Sequence, residues 1–135
     1  MAAAVLDSHA LLAFFRGEAA AVQVKQLLHK AASDDQPLQM TEVNYAEVKY
    51  ILVRKDGAEA WEQAADILIS LPIEFHPADR RLADLAADFK ARHKISLADA
   101  FAAALAKERK TELVTGDPEF KSLEKEIRIN WLKSA

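Results

Sequence analysis

The sequence predicts an α/β fold of three layers, α/β/α, with helices on both faces of a central parallel sheet. Three observations carry this. Short apolar runs recur at five places along the chain, and segments of helical periodicity separate the first four. Strands divided by helices pair in parallel, because each crossover helix returns the chain to the edge where the previous strand began. At 135 residues the chain has the size of one domain, 1–135, large enough for one core and too small for two.

The elements follow in order. Ala3-Ala4-Val5-Leu6 is the first strand, ended by Asp7, after which Leu11, Leu12, Phe14 and Phe15 recur as on a helix. Gly17 interrupts the pattern, and a second helix is expected over Ala19 to Ala32, with Val22, Leu27 and Leu28 among its apolar positions. Ser33-Asp34-Asp35-Gln36-Pro37 has loop composition. Leu38 to Thr41 forms the second strand and feeds a helix carrying Val43, Glu47, Tyr50 and Ile51. Asp56-Gly57 punctuates; Ala58 to Leu71 is amphipathic with Trp61, Ala65, Leu68 and Ile69 inward, and Pro72 closes it. Ile73-Glu74-Phe75 is the third strand, followed by a helix over Asp79 to His93 with Leu82, Leu85, Ala86 and Phe89 on one side. Ser96 opens the next helix, to Arg109. Glu112 to Thr115 is the fourth strand, Gly116-Asp117-Pro118 a turn, and Ile127 to Trp131 the fifth strand.

Composition narrows the chemistry. Hydrophobic residues make up 51% and charged residues 29%, with three glycines and four prolines, which argues against disorder. The absence of cysteine excludes disulfides, thiolate metal sites and a cysteine nucleophile, and suits a cytoplasmic location. No basic leader precedes Asp7 and no apolar run is long enough to span a bilayer, so neither secretion nor membrane insertion is expected. The net charge of −3 counts against a broad nucleic-acid-gripping surface, which needs clustered Lys and Arg. A group of carboxylates kept together to hold a cation would account for the acidity.

Four acids are candidates, and each has an ordinary structural explanation beside the functional one. Asp7 follows the first strand, where ligands bind in open parallel sheets, yet Asp7 or Ser8 also suits a helix cap. Asp117 precedes Pro118, the pattern of a cap with proline at the first helical position. Asp99 lies three residues after Ser96, as in a capping box, and heads a stripe of small side chains, Ala102, Ala103 and Ala106, that would leave room for a metal and a phosphate. Glu47 has Val43 and Ile51 four residues away on either side, which places it close to the packing face of its helix, where unpaired acids are rare. Two of them sit at carboxyl ends of strands and two in the first or second turn of helices that follow strands or face the sheet, so all four can converge on one edge. Convergent carboxylates repel, and a hard divalent cation with oxygen ligands is the usual remedy. Such an ion supports phosphodiester hydrolysis without a protein nucleophile.

The segments around these acids, Val5-Leu6-Asp7-Ser8, Val43-Asn44-Tyr45-Ala46-Glu47-Val48, Ile95-Ser96-Leu97-Ala98-Asp99-Ala100 and Leu113-Val114-Thr115-Gly116-Asp117-Pro118-Glu119-Phe120, resemble the four acidic motifs of PIN domains, in that order and over nearly the whole chain. The resemblance implies a Mg²⁺- or Mn²⁺-dependent ribonuclease on a five-stranded parallel sheet. It makes Asp7, Glu47, Asp99 and Asp117 the catalytic, metal-binding acids and Glu119 an auxiliary acid. It also gives Thr115 a kept hydroxyl, while Ser8 either hydrogen-bonds within the site or caps its helix. A chain this short is similar to the VapC-type toxins of VapBC toxin–antitoxin pairs, which implies an RNA substrate and a VapB-like antitoxin. Some relatives carry a glycine shortly after the second acid, where this chain has Tyr50-Ile51-Leu52, which leaves subfamily and substrate open.

Other features have weaker claims. Lys90, Arg92, His93 and Lys94 would form a positive rim beside Asp99, but basic residues also complement a helix carboxyl end. The four histidines show no metal-ligand spacing, and Trp61 and Trp131 are better suited to packing than to base stacking. The apolar faces Val22 to Leu28 and Trp61 to Leu68 exceed what a small monomer needs, so a groove for an antitoxin helix or a homodimer contact is expected there. Two alternatives differ in class. A phosphatase using Asp7 as nucleophile lacks the second Asp two positions on; a non-catalytic RNA- or protein-binding domain would not need all four acids.

Overall fold

The structure is a computed structural model that describes residues 3–133. Five strands form one sheet: β1 (Val5–Leu6), β2 (Leu38–Thr41), β3 (Ile73–His76), β4 (Leu113–Thr115) and β5 (Ile129–Trp131). Their order is β3-β2-β1-β4-β5, and every pairing is parallel. Six helices surround them: α1 (Ser8–Phe15), α2 (Ala21–Ser33), α3 (Glu42–Asp56), α4 (Ala58–Ser70), α5 (Arg80–Arg92) and α6 (Leu97–Glu108). The chain steps outward from β1 to β2 to β3, then returns to place β4 on the other side of β1. The direction of winding therefore reverses between β1 and β4, and that reversal opens a crevice at their carboxyl ends.

Alternation along the strands builds the layers. Val5 and Leu113 pack with α5 and α6 on one face, whereas their neighbours Leu6 and Val114 pack with α1 and α2 on the other. Both faces of β1 are covered, so it reads as an uninterrupted apolar run. A third cluster joins Leu11 of α1 and Met40 of β2 to Val48, Leu52, Trp61 and Leu68. Trp61 is a core side chain, edge-on to Tyr45 at 5.6 Å between centroids.

Helix α6 differs from the expectation that its small-residue stripe leaves room beside Asp99. Every residue from Asp99 to Ala106 is buried. Five alanines let it sit deep between α3, α5 and the sheet, so the small side chains serve close helix packing and leave no open space along the helix. Three further differences are local. Ile69 is 86% exposed, because the inward residues of α4 are Trp61, Ala64 and Leu68 and the next position turns away. Pro118–Leu123 forms a 3₁₀ helix where only a turn is predicted, and β5 begins at Ile129 because Ile127 closes the preceding turn on the Leu123 carbonyl. The α2 and α4 faces do not form a pair, since α2 packs on α1 and α4 on α3. What remains exposed of them includes Val22, Ile67 and Ile69. Among the described residues, no helix is long and apolar enough to cross a membrane.

Candidate active site

Asp7 lies at the β1 carboxyl end, on one side of the crevice. Its Oδ1 accepts from the Ala10 N–H at 2.8 Å and caps α1, while Oδ2 accepts from the Thr115 hydroxyl. Capping thus uses one oxygen, and the carboxylate retains lone pairs for a cation. Thr115, the last residue of β4, also accepts from the Asp117 N–H at 3.0 Å. One buried hydroxyl therefore ties the first acid to the backbone of the fourth. Asp117 caps the 3₁₀ helix by accepting from the Glu119 N–H at 3.0 Å, with Pro118 at its first position.

Asp99 enters from the amino end of α6. Its N–H donates to Ser96 Oγ at 3.1 Å, which is one half of the expected capping box, and the residue is buried beside the crevice. One ligand oxygen from each of Asp99, Asp117 and Glu119 falls within 4.8 Å of the others. Glu119, expected as an auxiliary acid, thus belongs to the tightest group, and Asp7 and Glu47 flank it. Glu47 is half-buried; Asn44, Val48 and Leu52 form the inward face of α3, and Tyr50 is exposed.

The electrostatics join the flanking acids to the centre. Burial pushes the Asp7 carboxyl from 3.8 to about 7; the Thr115 and Ala10 hydrogen bonds oppose this, and the charges of Asp99 and Asp117 reinforce it. Asp99 likewise rises to about 7, chiefly by burial and then by the Asp117 charge, with Glu47 and Glu119 adding to it against the Ser96 hydrogen bond. All five carboxylates therefore act on one region of space. Two of them are poorly able to ionise there unless positive charge is supplied. That donor set fits a hard divalent cation, which takes carboxylate oxygens and completes its shell with water.

Asn44 is the member of this region that sequence patterning does not single out. It is fully buried, and its Nδ2 donates both to Ser8 Oγ and to the Ala98 carbonyl at 3.1 Å, while its N–H donates to Thr41 Oγ1 at 3.0 Å. The Ser8 hydroxyl donates back to the Asn44 carbonyl at 3.3 Å. This network fixes the starts of α1, α3 and α6, which carry Asp7, Glu47 and Asp99 close by. Ser8 is accordingly buried and turned toward α3. A polar residue at helical spacing before Val48 and Leu52 is the signal that marks Asn44. His9 is the second such residue: its ring lies over Gly116, where an added Cβ would stand 2.6 Å from Cε1.

The basic rim is mostly engaged elsewhere. Lys90 donates to the Ile95 carbonyl at 2.8 Å, and Arg92 and His93 meet Glu126 at 2.7 and 2.5 Å. Of the four, Lys94 alone forms no ion pair or side-chain hydrogen bond among the described residues and stays exposed.

Comparisons with known proteins agree with this architecture. The structure is similar to VapBC2 from Rickettsia felis bound to a promoter DNA fragment, with a TM-score of 0.74 at 16% identity over 96% of this chain and 98% of that one. It is similar to VapC20 from Mycobacterium tuberculosis, described as a sarcin–ricin-loop-cleaving toxin, with a TM-score of 0.72 at 21% identity over 89% and 94%. A toxin–antitoxin complex from Klebsiella pneumoniae gives 0.70 at 18% identity over 98% and 100%. No curated protein matches the chain in sequence. The family model of the PIN domain, however, matches residues 4–126, which hold all five acids, and on that match the chain belongs to the PIN domain family.

Proposed function

We propose that this chain, acting as one domain over 1–135, is a Mg²⁺- or Mn²⁺-dependent endoribonuclease and the toxin half of a VapBC-type pair. The observation that carries the proposal is the convergence of Asp7, Glu47, Asp99, Asp117 and Glu119 on the crevice between β1 and β4, with Asp7 and Asp99 both raised to about 7. Asp99, Asp117 and Glu119 would hold the cation, and Asp7 and Glu47 complete the negative field around it. The chemistry such an ion supplies is polarisation of the scissile phosphodiester and a lower pKa for an attacking water.

The protein's own contribution is orientation and proton storage. Thr115 and the Ala10 N–H hold the two Asp7 oxygens, so that carboxylate cannot rotate away when substrate enters. Asp7 and Asp99 keep protons near neutral pH while their charges are uncompensated, and release them when positive charge is supplied. The described polar residues around them, Ser8, Asn44 and Thr115, are committed to structural hydrogen bonds.

The similar VapBC complexes support a VapB-like antitoxin as partner. Exposed Val22, Ile67 and Ile69 supply apolar surface for it or for a homodimer. A cytoplasmic location accords with the absence of cysteine. The test is cleavage of single-stranded and structured RNAs by protein freed of any co-purified partner, in Mg²⁺, Mn²⁺ or EDTA. Cutting that needs the ion and is lost in Asp99→Asn supports the proposal. Folded, metal-loaded protein that binds RNA and cuts none of the set favours the non-catalytic alternative.

A further inference from the structure

A cavity of about 620 Å³ opens at the amino ends of the strands, the edge opposite the carboxylates. It is bordered by Ala4 before β1, Leu38 at the start of β2, Glu112 before β4 and the carboxyl ends of α2 and α6. Ala4 and Asp7 are three residues apart along the central strand, so about 10 Å of backbone separates the two edges.

The charge at this edge has the opposite sign. Lys30, Arg109, Lys110 and Arg128 line the cavity against two acids, Asp34 and Glu112, in a chain whose net charge is −3. Arg109 is engaged with His76 at 3.1 Å, and Glu112 accepts from Asn130 at 3.2 Å. Among the described residues, Lys30, Lys110 and Arg128 form no ion pair. Two helix carboxyl ends offset roughly one unit of positive charge, which leaves the edge still cationic.

Lys110 is fixed beside the cavity by the cap that closes α6. It ends α6 with φ +54°, in the left-handed region, while its N–H bonds the Lys107 carbonyl and the Thr111 N–H bonds the Ala106 carbonyl. Glycine is the residue that favours this position. The same left-handed cap ends α2 at Asp35 (φ +52°), so both helix ends bordering the cavity are closed by a non-glycine residue, and in α6 that residue is a cation.

We propose that this cavity binds a phosphate-bearing ligand of nucleotide size. Phosphate oxygens meet Lys30, Lys110 and Arg128, sugar hydroxyls donate to the Asp34 carboxylate, and a base lies on the apolar lining that includes Leu27, Ala31 and Leu38. The volume lies within the range of small-ligand sites. A free nucleotide and the phosphorylated end of an RNA strand share this chemistry.

The experiment uses the full chain in EDTA, so that no cation occupies the carboxylate edge, and follows binding of ADP and of a 5′-phosphorylated decaribonucleotide by calorimetry and thermal shift. ADP is expected to bind with Kd below about 1 mM and to raise Tm. Lys110→Gly raises the Tm of the free protein by about 3 °C, because the backbone strain is relieved, yet weakens ADP binding about tenfold, as does Arg128→Ser. Oligonucleotide binding without ADP binding supports the site and assigns the strand end as its ligand. No binding of either probe, or binding undiminished in the Lys110→Gly/Arg128→Ser double variant, overturns the proposal. The outcome is independent of nuclease activity, since no metal is present and nothing is cut.

Discussion

Thr115 and Asp7 hold the crevice together at the smallest scale. The hydroxyl donates to one acid and accepts from the N–H of another, so Thr115→Val removes both bonds without changing shape. The expected outcome is a folded protein whose RNA cleavage is about 10 to 100-fold slower, measured as an initial rate at saturating Mg²⁺. Asp7 carries a pH signature. Its folded pKa of about 7 stands above the unfolded value of 3.8, so the folded state binds the extra proton between those limits. Stability without metal therefore falls as pH rises from about 4 to about 7 and stays low above that. Asp7→Asn keeps an acceptor for the Ala10 N–H and removes the charge. It should raise the unfolding free energy of metal-free protein by on the order of 4 kcal/mol at pH 8 and hardly at all near pH 4; equal effects at both would contradict it. Singly the acids were ambiguous in the sequence, since an acid at a strand end or helix start is also an ordinary capping residue, as Asp7 and Asp117 are; their ordered set, with Glu47 in the second turn of α3, made them legible. Asn44 was not, because an asparagine in the first turn of a helix is unremarkable until Ser8 and Ala98 arrive from distant segments to meet it. The closeness of Glu119 to Asp99 was also hidden, since it depends on how a 3₁₀ turn aims one side chain.

Elements were legible where a period had room to repeat. The α1 to α6 helices and all five strands follow from runs of apolar residues, but Pro118–Leu123 is too short to express a period and was indistinguishable from a turn. Ile69 misled because its helix carries apolar residues on more than one side, and only packing decides which are covered. The alanines of α6 show the same ambiguity in reverse. A stripe of small residues is compatible with open space or with close approach of neighbours, and here the neighbours approach. Ala103→Leu should accordingly destabilise the protein by about 1–3 kcal/mol in denaturant unfolding, since the added volume has no void to enter.

At the scale of the molecule, strand order places the chemistry. Periodicity announces five strands, but their order depends on which face each crossover takes, and that order brings Asp7 and Asp117 to adjacent strand ends at the point of reversal. The same topology puts cations at the opposite edge. Exposed apolar residues on α2 and α4 bear on assembly: Ile69→Asp should change stability by less than about 0.5 kcal/mol and reduce self-association or antitoxin binding in size-exclusion experiments. On the proposed function, the five carboxylates act together as one cation site. The most direct test is calorimetric titration of Mn²⁺ into metal-free protein at pH 7, in buffers of different ionisation enthalpy. Saturable binding is expected, with release of protons from Asp7 and Asp99, both abolished in Asp99→Asn/Asp117→Asn. Absence of binding, or binding with no proton release that survives the double substitution, would contradict it.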